Sequence, residues 1–224
     1  MRDAIVAEIA SKMAEIRDLS AQLWHLEGGL AELSKLYDPY RSTTETMWQW
    51  CRCFPDRLSL MQSLPKGGVV VEVGTHRGNW ARMILDHARP EKLYTIDIGY
   101  GVFAFDNFDK EIASGQLETV ESLSWVVLER FPDQYFDWIY IDAGHAYEDV
   151  KRDSLVAIRK VRPEGFIVFN DFTSISPLEF APYGVARAAI ELADEHSLAF
   201  THFAYEYRGY HDVALRRVQH MGPR

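Results

Sequence analysis

Five apolar stretches of this chain each end on residues able to do chemistry: Gly74, Asp97, Ser122, Asp142 and the pair Asn170-Asp171. The first stretch runs into Glu72-Val73-Gly74-Thr75-His76-Arg77-Gly78 and then into helical sequence. Glycine lets the main chain approach a ligand closely, and a helix N-terminus favours anionic groups. The spacing is E-x-G-x-x-x-G, a single wide turn, with Thr75-His76 replacing the middle of a G-x-G-x-x-G dinucleotide fingerprint. Taken alone, the turn also fits an ordinary strand-to-helix connection. Asp97 closes the next apolar stretch about 20 residues on, where a carboxylate can take two hydrogen bonds from ribose hydroxyls or cap the following segment. Together the glycine turn and Asp97 point to a cofactor that contains a nucleoside.

The later stretches carry a different chemistry. His145 follows Asp142 by three residues, and an imidazole with an unperturbed pKa of about 6.5 suits a general base. Its alternative role is to cap a helix that begins near Tyr147. Asp142, Asn170 and Asp171 end two neighbouring strands, which sets three oxygen-bearing side chains around one point. Hard oxygen ligands of this kind suit Mg²⁺. The order Asn170-Asp171 supplies only one charge there, and Asp171 capping a loop while Asn170 orients a side chain fits equally.

The elements that position these residues follow from the hydrophobic rhythm. Val69–Val73, Leu93–Ile96, Leu117–Val120, Phe136–Ile141 and Phe166–Phe169 read as buried strands, separated by helical sequence near 79–88, 107–114, 124–131 and 147–161. Arg162-Pro163-Glu164-Gly165 reads as a helix stop. A helix near 184–195 precedes two last strands, around 199–205 and 212–218. Glu206 to His211 is too short for a crossover helix, so this pair is expected as an antiparallel hairpin at one sheet edge. The reading is a Rossmann-like, doubly wound α/β domain with a seven-stranded sheet, whose ligands sit beyond the carboxyl ends of the strands.

Ahead of this domain, residues 1–64 read as a helical N-terminal extension, with the catalytic domain over 65–224. Ile9, Ile16, Leu23 and Leu30 share one heptad position; Ile5, Leu19, Leu26 and Leu33 share the other, with Lys12 the one break. Such a seam suits a second copy of the chain in a homodimer, or the chain's own domain, as a lid. Residues 37–66 are aromatic-rich and read as short helices covering the domain.

Composition narrows the possibilities. The chain has 224 residues, 47% of them hydrophobic and 25% charged, which is ordinary globular usage. A net charge of −9 argues against nucleic acid as the main partner, because phosphate binding needs a clustered basic surface. The two cysteines, Cys51 and Cys53, are spaced too tightly for an easy mutual disulfide, and no second pair completes a zinc site. With neither a secretory signal nor an apolar run of about 20 residues, the expectation is a cytoplasmic protein without a membrane partner.

At the level of motifs the sequence resembles a known family. Val70-Val71-Glu72-Val73-Gly74-Thr75-x-x-Gly78, then Ile96-Asp97, then D-x-x-H-x-Y-x-x-V-x-x-D from Asp142 to Asp153, then Pro163-x-Gly165 before Asn170-Asp171 looks like a class I S-adenosylmethionine-dependent methyltransferase. It is most similar to the bacterial small-molecule O-methyltransferase branch that includes antibiotic-sugar and cephalosporin-hydroxylase-like proteins. The resemblance spans roughly residues 65 to 218. It implies S-adenosylmethionine as cofactor, with Gly74, Thr75 and Gly78 at the methionine moiety. Glu72 and Asn79 would hold its amino or carboxylate group, Asp97 the ribose, and Glu121-Ser122 the adenine, with Asp142 beside the cofactor. The acceptor would be a small molecule whose hydroxyl is activated by His145 with Asp142, or by the ion held at Asp142, Asn170 and Asp171. Trp48, Trp50, Phe103, Phe105 and Phe108 would line the acceptor pocket or form core. The loop Phe172 to Tyr183 is placed to close over the site. His76, Arg77 and Tyr147 stand as site or packing residues, and His202 and His211 read as exposed at the edge. The competing classes are a nicotinamide-dependent oxidoreductase and an inactive binding protein on the same fold.

Overall fold

The structure, a computed structural model, describes residues 1–29 and 42–218. The chain forms two compact units, Met1–Pro39 and Tyr40–Arg224. In the first, α1 (Arg2–Trp24) is a helix of 23 residues with none buried. Ile5, Ile9, Ile16 and Leu19 are all exposed. Leu30 and Leu33 of the heptad columns lie outside the described residues. No described helix is long and apolar enough to cross a membrane.

The second unit is built on one sheet of eight strands. Its elements are α2 (Glu45–Trp48), β1 (Arg52–Phe54), α3 (Arg57–Ser63), β2 (Val69–Val73), α4 (Asn79–His87), β3 (Lys92–Asp97), α5 (Asp109–Ala113), β4 (Leu117–Glu121) and α6 (Ser124–Glu129), followed by β5 (Phe136–Ile141), α7 (Tyr147–Lys160), β6 (Val161–Phe169), a two-residue pair β7 (Ile175–Ser176) and β8 (Ala181–Pro182), α8 (Val185–His196), β9 (Leu198–Ala204) and β10 (Asp212–Arg217). The sheet order is β1-β9-β10-β6-β5-β2-β3-β4. β2, the β-branched run, sits in the middle, parallel to β3 and β5.

Alternate residues of each strand feed opposite faces. Val71, Val73, Ile139, Ile141, Ile167 and Phe169 join a core with Val150, Ala157, Ala188 and Ile190 of α7 and α8. Val70, Trp138, Tyr140, Phe166 and Val168 join a second core with Leu60, Met61, Trp80 and Ile84 of α3 and α4.

Four expectations are corrected. The sheet has eight strands where seven were read, because Arg52–Phe54 pairs in parallel with β9. Arg-Cys-Phe is too short to show an alternation of its own; an open strand edge recruits it and buries Phe54. For the same reason residues 42–63, read as part of a helical extension, lie in the second unit and reach the sheet. The last two strands do form an antiparallel pair, but β10 inserts between β6 and β9 and is antiparallel to both. Finally, α7 passes directly into β6 at Val161, and Arg162–Gly165 lies within the strand, where the register with β5 shifts. Proline is tolerated at such irregularities.

Candidate active site

Gly74, Asp97, Ser122, Asp142 and Asn170-Asp171 all fall at the carboxyl edge of the sheet. Asp212 joins them, because β10 runs the opposite way and its first residue lies where its neighbours end.

The glycine turn is held by Asp97. Its Oδ2 accepts the main-chain N–H of Thr75 at 2.9 Å and of His76 at 2.8 Å, and its Oδ1 accepts that of Gly99 at 3.1 Å. A carboxylate has about four lone-pair sites, so roughly one is left for a ligand, fewer than the two bonds read from sequence. Gly74 has φ +83°, and a Cβ there would strike the main chain of Asp142 and Ala143. Only glycine allows β2 and β5 to meet so closely at their ends. Gly78, at φ +83°, precedes α4 and abuts the rings of Phe103 and Phe108.

A cavity of about 250 Å³ opens there, lined by Gly74, His76, Ile96, Asp97, Ile98, Ser122, Ser124, Asp142, Ala143 and Gly144. Ser124 donates to the buried Asp153 carboxylate at 2.5 Å, so the last acid of the D-x-x-H motif orients a cavity hydroxyl. Below the turn, Glu72 is fully buried. One of its oxygens accepts from the Thr75 hydroxyl at 2.5 Å, and the other has no hydrogen-bond partner. Burial raises its pKa from 4.5 to about 8, against the Thr75 bond that lowers it and with the nearby Asp97 charge adding to the rise.

A second cavity, of about 320 Å³, is lined by Arg57, His145, Asn170, Asp171, Leu178, Glu179, Tyr183, Glu206, Arg208 and Tyr210. His145 is stacked on Tyr183, with ring centroids 4.3 Å apart and planes within 6°. Its Nε2 is buried without a hydrogen-bond partner and lies 3.4 Å from Asp171 Oδ2. Asp171 sits in the left-handed region at φ +54°, a strain of about 1–3 kcal/mol that the surrounding fold maintains. Burial raises its carboxyl pKa, and His145 opposes the rise. The residue before α7 is Ala146, and no side chain caps that helix, so His145 is not its cap.

Asn170 is taken up elsewhere. Its amide donates to Asp212 Oδ1 at 3.0 Å, and the Tyr140 hydroxyl donates to Asp212 Oδ2 at 2.6 Å. Burial raises Asp212 to about 6 and lifts Asp142 well above the carboxylate range, with the Asp171, Asp212 and Glu72 charges adding to the latter.

The expected ion site does not survive this geometry. Asp142 lines the first cavity while Asn170 and Asp171 line the second. Among the described residues no group of three or more His, Cys, Asp or Glu side chains could hold a metal ion. The residues present do not fit Mg²⁺.

Other expectations divide. Asn79 is exposed and, with Gly78, lines a separate groove beside Arg77, Arg82 and Phe108. Glu121 is exposed and accepts the Tyr100 main-chain N–H at 3.3 Å, leaving Ser122 and Ser124 at the cavity wall. The spacing located these turns, but it does not set which way a side chain leaves them. Trp48 stacks on Phe200 at 4.2 Å, and Phe103 and Phe108 are buried, whereas the aromatics that line the second cavity are Tyr183 and Tyr210. Tyr147 donates to Glu191 at 2.6 Å and supports Arg187, which is packing. His202 is buried, because β9 is covered by β1, and its pKa falls to about 4 through burial and the charges of Arg52 and Arg216. The 172–183 loop does reach the second cavity through Leu178, Glu179 and Tyr183. The Tyr210 hydroxyl ties it down, 2.6 Å from Ser176 Oγ and 3.2 Å from Leu178 N. Arg57, Tyr140, Asp212, Glu179 and Glu206 were missed by sequence reasoning.

The sheet order, the inserted antiparallel strand and the strand-end cavity define the α/β fold of methyltransferases. Residues 71–172 match the family described as "Methyltransferase domain", a span from β2 to the residue after Asp171. A SAM-dependent methyltransferase from Aquifex aeolicus is similar in structure at 16% identity and a TM-score of 0.54, over 83% of this chain and 96% of that one. The M1A22 tRNA methyltransferase TrmK of B. subtilis is similar at 13% identity and a TM-score of 0.52, over 73% and 66%. An O-methyltransferase family protein from Burkholderia thailandensis is similar at 12% identity and a TM-score of 0.54, over 71% and 55%. No curated protein sequence matches this one.

Proposed function

We propose that this protein transfers a methyl group from S-adenosylmethionine to a hydroxyl of a small molecule. The observation that carries the reading is His145, which lines the second cavity, stacked on Tyr183, with its Nε2 3.4 Å from Asp171 Oδ2. The cofactor fits the first cavity by its chemistry: Gly74 and the turn clasped by Asp97 form its wall, and Asp97 keeps one acceptor site. When bound, S-adenosylmethionine supplies an electrophilic methyl group on a sulfonium.

The chain's own residues do the rest. A neutral hydroxyl is a weak nucleophile, and an imidazole within hydrogen-bond reach can take its proton as the oxygen attacks. His145 takes that proton, and the Asp171 carboxylate, 3.4 Å from Nε2, stabilises the resulting cation. Tyr183 fixes the ring plane by stacking. Asp142, expected as a partner of this base, serves the cofactor side instead. A small acceptor suits the second cavity better than a polyphosphate, since Asp171, Glu179 and Glu206 outnumber Arg57 and Arg208 in its lining and the chain carries −9. The exposed apolar column of α1 suits a second copy of the chain.

Isothermal titration with S-adenosylhomocysteine tests the core of the reading, and absence of binding at millimolar concentration refutes it. Once an acceptor is found, His145→Gln is expected to lower kcat by about 10²–10⁴-fold with the cofactor affinity unchanged. A wild-type rate removes the base assignment.

A further inference from the structure

Arg57 opens α3 behind Asp56, whose side chain accepts the Ser59 N–H at 2.7 Å. Its guanidinium lies over the Trp80 ring, 4.5 Å from the centroid, and Trp80 packs in turn against Tyr140 with ring centroids 5.3 Å apart. Stacking fixes the plane of the group while leaving its N–H donors open. Four acids surround it electrostatically, yet among the described residues no carboxylate forms a salt bridge with Arg57. A held guanidinium without a salt-bridge partner, lining the second cavity, is a ready fork for a carboxylate that reaches across from the first.

What stands near it identifies the carboxylate. Glu72, Trp80 and Tyr140 flank the glycine turn on the sheet face that α3 and α4 cover. Glu72 is fully buried with one unpartnered oxygen, suited to an ammonium group. Carboxyl and guanidinium on one sheet face make a pair of opposite preference, the arrangement an α-amino acid requires. Asn79, the other residue expected to hold that end, is exposed on a separate groove.

We propose that Arg57 binds the α-carboxylate of the methionine portion of S-adenosylmethionine. The assignment rests on the cofactor reading above and extends it to a residue outside the span of the methyltransferase-domain match.

The test compares two ligands by isothermal titration: S-adenosylhomocysteine, and 5′-(3-aminopropylthio)-5′-deoxyadenosine, which lacks only the carboxylate. Wild type is expected to prefer the first by about 10- to 100-fold, the range of one to two charge-assisted hydrogen bonds. In Arg57→Ala that preference shrinks to within about threefold, because S-adenosylhomocysteine weakens while the decarboxylated ligand binds as before. Arg57→Lys recovers part of the preference through a point charge. Unchanged S-adenosylhomocysteine affinity in Arg57→Ala overturns the assignment, as does an equal loss for both ligands, which marks a structural role. A variant that binds both ligands normally but raises KM for the acceptor also overturns it and moves Arg57 to the acceptor side. If wild type binds neither ligand, the cofactor reading itself falls, a result distinct from all of these.

Discussion

Glu72→Gln isolates the energetic cost of the carboxyl beneath the glycine turn. The wild-type group is fully buried, with one oxygen on Thr75 and the other unpartnered. Burial raises its pKa from 4.5 to about 8. A folded pKa above the unfolded one means that the folded chain keeps a proton which the unfolded chain releases. Stability from this group is therefore full below pH 4.5 and falls as pH climbs toward 8. At 1.36 kcal/mol per unit the loss amounts to roughly 3 kcal/mol by pH 7 and about 5 kcal/mol above pH 8. Glutamine preserves the volume, still accepts from Thr75 and does not titrate. The variant should match wild type near pH 5 and exceed it by roughly 3 kcal/mol at pH 7. Asp142, Asp171 and Asp212 also have raised pKa values but are present in both proteins. Loss of the Glu72 charge relieves Asp142 as well, which widens the gap in the same direction. Urea unfolding followed by tryptophan fluorescence at pH 5, 6, 7 and 8 measures it. Parallel stability curves for the two proteins refute the reasoning.

Three other expectations concern the same edge of the sheet. Asp97→Asn should cost about 2–3 kcal/mol of stability, because an amide cannot accept all three main-chain N–H groups; an unchanged melting temperature argues against the pinning role. Gly74→Ala should cost about 3 kcal/mol or more, from the left-handed backbone and the collision with Asp142, as read by denaturation midpoint; a tolerated alanine means the strand ends can part. Exhaustive chelation should leave the methylation rate unchanged, and a rate that collapses and returns with Mg²⁺ overturns the donor-set argument.

The central fold was legible because Val69–Val73, Phe136–Ile141 and Phe166–Phe169 are apolar on both faces, which only buried parallel strands require. Strand ends follow from strands, so Gly74, Asp97, Ser122, Asp142 and Asp171 were found together. Arg57 was not, because it reaches the site on α3, behind a strand with no hydrophobic pattern. Asp212 escaped for a topological reason: it reaches the active edge only because β10 is inserted antiparallel, and that choice is non-local. Asn79 and Glu121, expected at the cofactor, are exposed, because spacing locates a turn and leaves its side-chain directions open.

The two cavities differ in what they are made of, and this bears on how such a protein can change over generations. Where β2 meets β5, the first is shaped by main chain, with Gly74 pressed on Asp142 and Ala143 and the turn clasped by Asp97. Mutation there alters the backbone path, so drift is penalised at once. Much of the second is built from side chains on two connections, through Leu178, Glu179 and Tyr183 on one and Glu206, Arg208 and Tyr210 on the other. Exchanges on those connections reshape the pocket without moving a strand. A lineage carrying this scaffold can therefore vary the second cavity while the first stays fixed.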